Sequence, residues 1–197
     1  MNSISLAEIA LALALAWGAG IRVYLVLFLC GVAGRMGWIE LPDSFALLAH
    51  PLVLGASGLM LAVEFFADKF PWIDSLWDAV HSFIRIPAGA ALAAMVFGDG
   101  TTTAIPLVAA ILGGAVAAGA HLTKAGARGA INASPEPFSN WTASLFEDAL
   151  VPIGLWVAVF HPVAFLVLLA AFAVAAILLI RLLIRGLQGL RSRLSAR

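Results

Sequence analysis

The feature that most constrains this chain is its succession of long apolar runs. Between Pro162 and Ile180 no side chain carries a charge, and comparable runs recur from Leu6 onward. About 20 apolar residues in helical form cross the roughly 30 Å hydrocarbon layer of a bilayer. Hydrophobic residues make up 63% of the 197 positions and charged ones 11%, with a mean hydropathy of +1.05. A soluble domain of this size needs more polar surface to cover its core. The expected fold class is therefore all-α: a polytopic membrane helical bundle of about six transmembrane helices.

Six segments can be drawn, with boundaries good to about four residues. They run from Leu6 to Gly34, Leu52 to Phe66, Pro71 to Phe97, Ala104 to Leu122, Ala143 to Phe160 and Pro162 to Ile184. The first is interrupted by Gly18-Ala19-Gly20, where a break in the helix is expected. Pro51, a favoured first helical residue, is expected to open the second. Residues 129–142, with Asn132, Ser134, Pro135, Glu136, Pro137, Ser139 and Asn140, read as a polar cytoplasmic loop. The alternative is a segment that folds back into a polar cavity.

Charge orients these segments. Lys69, Lys124, Arg128 and the arginines 181, 185, 191, 193 and 197 share one side if both termini are cytoplasmic. Arg35 then falls outside with Glu40, Asp43, Asp99 and Trp38, while Trp72 and Trp141 lie inside. The expectation is a multi-pass protein of the inner (plasma) membrane: a transmembrane domain over 1–184 and a basic cytoplasmic tail over 185–197. Glu8 inside the first apolar run, with no positive residue before it, marks a retained helix and not a cleaved leader. Cys30 is the only cysteine, which excludes an internal disulfide and a thiolate metal site. The zero net charge argues against a nucleic-acid partner.

A weak internal repeat is also visible. Ala16–Arg22 echoes Ala115–His121, Ser75–Val80 echoes Ser144–Ala149 with one gap, and Pro87-x-Gly89 echoes Pro152-x-Gly154. Helices one and four would be inverted relative to each other. Helices three and five would run the same way, however, which a three-plus-three inversion forbids.

The candidate site starts from Asp74, Asp78, His81 and Arg85, whose steps of four, three and four residues place them within about 60° on one helix face. Ionisable groups facing hydrocarbon cost several kcal/mol, so the stripe should face protein or water. Asp74 also has a simpler use, capping a helix that begins at Pro71. Arg22 follows the double-glycine interruption, where free amides and a guanidinium suit an anionic group, or where the arginine pairs with an acid. His121, Lys124 and Arg128 share a face of the fourth helix. Glu147 and Asp148 open the fifth, and at least one should look inward. Glu64 either joins the same cavity or reaches to the interface. His50-Pro51 and His161-Pro162 read as helix punctuation. If a metal binds, the candidate ligands are Asp74, Asp78 and His81; the sequence does not say which cofactor, if any, the protein takes.

The stretches Gly18–Tyr24, Leu61–Glu64, Pro71–Asp78 and His121–Asp148 resemble a family of small prokaryotic membrane proteins known as domain of unknown function 4126. The resemblance spans about Leu6 to Pro162 and implies a helical membrane fold, with no activity to carry over. Three function classes follow from the residues. The first is a small transporter or channel-like protein for an ion or small charged solute, open to proton coupling. The second is an intramembrane enzyme acting on a lipid headgroup or phosphorylated substrate with a divalent cation. The third is a non-catalytic scaffold or sensor whose basic tail meets anionic lipid. The expected partners are the lipid bilayer and a small charged solute or ion; the small residues Gly113, Gly114, Ala117 and Ala118 permit close packing of helix four against a neighbour in the same chain or in another copy, so an oligomer is open.

Overall fold

A computed structural model describes residues 4–98, 104–133 and 138–195. Its regular structure is helical throughout: α1 (Leu6–Met36), a 3-10 turn (Asp43–Ala49), α2 (Pro51–Ala67), α3 (Pro71–Met95), α4 (Ala104–Asn132), α5 (Phe138–Phe160) and α6 (Pro162–Ser195). Local chemistry sets several of the ends. Ser5 and Glu8 form a reciprocal capping box, with Ser5 Oγ accepting from the Glu8 amide at 3.1 Å and the Ser5 amide donating to Glu8 Oε2 at 2.7 Å. Gly37, at φ 66°, takes the left-handed conformation that closes α1. Proline opens α2, α3 and α6, and His50 Nδ1 accepts from the Leu52 amide. The punctuation read at His50-Pro51 and His161-Pro162 is what these helix starts use.

The first segment is not one crossing. Arg22 has φ −142° and ψ 77°, outside the helical region, and the chain folds back on itself there. A Cβ on Gly18 would stand 2.9 Å from Val26 Cγ2, whereas positions this far apart on a straight helix are separated by about 12 Å. Leu11 and Leu15 line one cavity together with Leu29, Cys30 and Ala33. Ala7 and Glu8 line another with Glu40 and Leu41. Residues 6–21 (α1a) and 23–36 (α1b) are thus two antiparallel half-helices. At about 24 Å and 21 Å long, each is shorter than the hydrocarbon layer.

The expected break falls at Arg22 and not at the glycines before it. Gly20 stays helical and serves contact instead: it lies so close to the Ala117 carbonyl of α4 that a Cβ has no room. Every residue from Ala14 to Val23 is buried, because α1 packs against all the other helices and the 3-10 turn. An element that is apolar on all sides is stable only when surrounded. The small residues of α4 find their partners within the same chain, Gly113 meeting Ala93 and the Gly89 carbonyl of α3, and Ala117 meeting Gly20 and Gly89.

The fold-back changes the direction of the chain. Both ends of α1 lie with the C-terminal end of α3 and the start of α4: Ile4 and Ile9 share a cavity with Phe97 and Ile105, and Ser44 Oγ donates to the Met95 carbonyl at 2.6 Å. From there α2, α4 and α6 run toward the opposite end, and α3 and α5 return. Both termini on one side followed from counting residues 6–34 as one crossing; instead, the first described residues and the end of α6 occupy opposite ends of the bundle. The three sequence echoes also join segments that run in parallel, which rules out an inverted relation between them. In a Cys30→Ala background, Ile4→Cys and Gln188→Cys should react with an impermeant thiol reagent from opposite faces of sealed vesicles. Labelling from the same face would contradict the fold-back.

By length and apolarity α4, α5 and residues 162–182 of α6 are membrane-type helices, as is α1 when its two halves are counted together. The 3-10 turn and α2, bent 67° to each other, pass the same test only when taken together as one span. α3 is long enough, but its charged stripe lowers its hydropathy. The polar 129–142 segment is not an open loop at either end, since 129–132 complete α4 and 138–142 begin α5. Its centre, Ser134, Pro135, Glu136 and Pro137, lies outside the described residues, as do Asp99 and Arg197. The basic end over 185–195 continues α6 as helix.

Candidate functional site

The fold-back delivers Arg22 to the middle of the bundle, where it is fully buried. Its Nη1 lies 2.5 Å from Asp68 Oδ2 and its Nη2 2.9 Å from Asp148 Oδ1. Nη2 also donates to Ser144 Oγ at 3.1 Å and to the Ser144 carbonyl at 3.2 Å. One planar guanidinium therefore ties the α1 break to the end of α2 and to α5, a task suited to its fixed fork of donors.

A second arginine organises the α3 side. Arg85 donates through Nη2 to Glu64 Oε1 and through Nη1 to Asp78 Oδ1, both at 2.6 Å. His121 Nδ1 lies 3.2 Å from the same Nη1, and His121 Nε2 is 2.6 Å from Ser82 Oγ. Between the two arginines, Lys124 Nζ sits 3.5 Å from Asp68, 3.5 Å from Asp78 and 3.3 Å from Glu147. It also donates to the Ile21 carbonyl at 3.3 Å, satisfying a backbone acceptor freed where α1a stops. Arg128 is 3.1 Å from Glu147 Oε1, 3.5 Å from Asp68 Oδ2 and 3.7 Å from Asp74 Oδ1. Arg128 further donates to the side-chain and main-chain oxygens of Asn140.

The stripe Asp74, Asp78, His81 and Arg85 is buried along its whole length and faces protein. Its members do not converge. Asp74 makes no cap; it accepts from Asn132 Nδ2 at 2.8 Å and approaches Arg128. His81 turns away from the carboxylates: Nδ1 donates to the Trp77 carbonyl at 2.8 Å, Nε2 accepts from the Tyr24 hydroxyl at 3.1 Å, and the ring stacks on Trp77. With Asp78 held by Arg85 and Lys124, the three candidate metal ligands serve separate partners. Among the described residues no three acids, histidines or cysteines are placed to hold a metal ion. Glu64, left open between cavity and interface, is fully buried in the network.

Asp68 is the residue that sequence reasoning missed. It follows the last residue of α2 and reads as part of a charged turn with Lys69, yet it is buried and touches three cations. The available signal was its spacing of four from Glu64, which puts both acids on one face. Ser144, Asn140 and Tyr24 are further contributors without a signature of their own. Lys69, at the turn, lays its ammonium 3.1 Å above the Phe65 ring and donates to the Phe65 carbonyl at 3.0 Å. Partial burial is the main cause holding this ammonium below the ordinary lysine range.

Among the described residues the most exposed side chains of the network lie on α5, Glu147 at 12% and Asp148 at 22%. Chemically, the arrangement can hold charge at depth, exchange protons among carboxyls, and accept a small ion if the contacts at Glu147 and Asp148 part. No curated protein and no solved structure matches the chain. The model of the family described as "Domain of unknown function (DUF4126)" matches residues 9–182. Helices of membrane type surrounding a buried charge network at the tip of a folded-back first helix are, on that match, the form taken here by a member of the DUF4126 family, to which this chain belongs.

Proposed function

We propose that this multi-pass membrane protein is a small transporter or channel-like protein for an ion or small charged solute, coupled to protons. One observation carries the reading: six carboxyls (Glu64, Asp68, Asp74, Asp78, Glu147, Asp148) and four cations (Arg22, Arg85, Lys124, Arg128) meet inside the bundle around a half-helix that stops there. Stability alone does not call for such a cluster, since buried ion pairs are often no better than apolar residues of equal volume. Ionisable residues at membrane depth commonly mark ion pathways and proton relays. Interrupted helices whose ends meet a polar interior are a recurrent way of holding ions there. The enzyme reading loses support because Asp74, Asp78 and His81 do not converge on a cation.

The charged end holds Lys69 and Arg128, and α6 runs its basic residues toward it, so the positive-inside rule assigns that end to the cytoplasm. The C-terminus is then cytoplasmic, the first residues lie on the other face, and the inner (plasma) membrane is the expected location. The test is flux: the purified protein is reconstituted in liposomes, internal pH is followed, and anions, cations and small charged solutes are offered in turn. Solute-dependent proton movement in the wild type, lost in Asp78→Asn with the fold retained, is the expected result. No movement with any solute, from protein shown to be folded, would overturn the transport reading.

A further inference from the structure

We propose that the solute of this network is a monovalent cation, which first meets the protein at Asp148. The inference rests on the transport reading for its purpose, while binding tests it apart from flux. By its place in the sequence, beside the broken helix, Arg22 suits an anion. In the structure its guanidinium is already held by Asp68, Asp148 and both oxygens of Ser144. What the interior has to spare is negative.

Among the described residues six carboxyls face four cations. Lys69 stands at the edge with its ammonium over Phe65, and counting it still leaves one carboxyl in excess. Neither imidazole joins an ion pair there: His121 Nδ1 lies 3.2 Å from the Arg85 guanidinium, and His81 is held by Tyr24 and the Trp77 carbonyl. Unused bonding capacity shows the same bias. Glu64 Oε2, Asp68 Oδ1 and Asp148 Oδ2 are buried with neither a hydrogen-bond nor an ion-pair partner, whereas Arg85 Nε is the one cation nitrogen in that condition. Surplus negative charge in a medium of low dielectric is offset by positive charge, a proton or a cation, and an anion would add to its cost. That sum does not depend on which carboxyl is compensated. A proton and a cation compete for the same surplus, and this competition couples them.

Access is biased in the same direction. The side chains of Arg22, Arg85, Lys124 and Arg128 are at most 2% exposed, while Asp78, Glu147 and Asp148 reach 6%, 12% and 22%. An ion approaching along α5 therefore meets carboxylates, which draw cations in and turn anions away. Asp148 is the most exposed of them, with Oδ1 on Arg22 and Oδ2 buried and unpartnered. Further in, the ammonium of Lys124 sits among Asp68, Asp78, Glu147 and the Ile21 carbonyl where α1a ends. The chain's own compact monovalent cation is thus held at the end of a half-helix, a recurrent place for coupling cations. A divalent ion asks for several converging ligands, and among the described residues no three acids, histidines or cysteines converge.

The full-length protein in detergent is melted in choline chloride, and choline is replaced by Na+, K+ or NH4+ at constant ionic strength. At least one of these cations is expected to raise the midpoint saturably, by about 2–4 °C. Exchanging chloride for nitrate or phosphate, with choline kept, should leave the midpoint unmoved. In liposomes the internal pH response should likewise follow the cation offered and ignore the anion. Asp148→Asn should raise the cation concentration at half response by about tenfold or more. Glu147→Gln, at the same mouth, should do so as well and serves if the first variant does not fold. A response that follows the anion in either measurement overturns the inference, as does no response to the three cations in both. A half-response concentration unchanged in the folded variant also overturns it. A cation-dependent midpoint without flux keeps the cation and removes the transport reading; flux that follows the anion does the reverse.

Discussion

Asp68→Asn is expected to destabilise the protein by about 3–5 kcal/mol, the usual consequence of breaking a buried ion cluster by removing one member. The carboxylate is fully buried and lies 2.5 Å from Arg22, 3.5 Å from Lys124 and 3.5 Å from Arg128. Asparagine keeps the shape and one acceptor, but leaves three cations sharing fewer anions in a medium that screens little. Overall charge makes the opposite prediction, since one acid fewer brings six carboxyls and four cations closer to balance. Unfolding in detergent separates the two accounts. Glu147→Gln is the control: Glu147 also meets three cations, at 3.1, 3.3 and 3.9 Å, but its side chain is partly exposed and water can take over. A loss at Asp68 no larger than at Glu147 would show that proximity and burial do not decide the energetics here.

Arg22→Gln should have a comparable effect, for a different reason. Arg22 satisfies Asp68, Asp148 and both oxygens of Ser144 at the point where α1 leaves helical geometry. Glutamine leaves two carboxylates facing each other without the group between them, at a cost of about 3–5 kcal/mol. Arg22→Lys should recover only part of that, because an ammonium is a point charge and cannot span Asp68 and Asp148 as the guanidinium fork does. The pair Arg22→Gln and Asp148→Asn, taken as a double-mutant cycle, should give a coupling of about 0.5–3 kcal/mol. If lysine proves equivalent to arginine in unfolding midpoint, bridging is not what the side chain contributes.

That the chain is helical, and where several helices begin, was legible because the segments are apolar runs and three of them open on a proline. Pro51, Pro71 and Pro162 stand where α2, α3 and α6 begin. The α3 stripe was legible for a related reason, since a three-four spacing of charges in an apolar segment leaves few places for it to go. The fold-back at Arg22 was not. Residues 6–36 are helical on both sides of one non-helical residue, and apolar periodicity does not report the angle between two halves. The glycines gave a true signal with the wrong meaning: Gly20 permits the approach of α4 and Gly18 that of α1b and α5, while the reversal falls at Arg22. Asp68 escaped because a charge just past an apolar run looks like solvent-facing turn chemistry, and only the packing of α1, α4 and α5 around it makes it interior. The 129–142 segment misled in the opposite sense, its polar residues being partly consumed inside the bundle by Asp74 and Arg128.

The close approach of backbones has a mechanical consequence. Gly20, Gly89 and Gly113 bring α1a, α3 and α4 together where a single added carbon would collide with a carbonyl or a neighbouring Cβ. Surfaces seated that deeply do not slide, so these three helices form a frame. On the other side of the reversal, Gly31 and Gly58 knit α1b to the 3-10 turn and α2 in the same manner, while α2 meets α3 only sparsely. A swing of α1b with α2 against the frame would part Gly18 from Val26 and turn at Arg22, where the arm leaves α1a, and at residues 68–70, where it joins α3. Both turning points lie in the charge cluster, so that the arm cannot move without changing who holds Asp68.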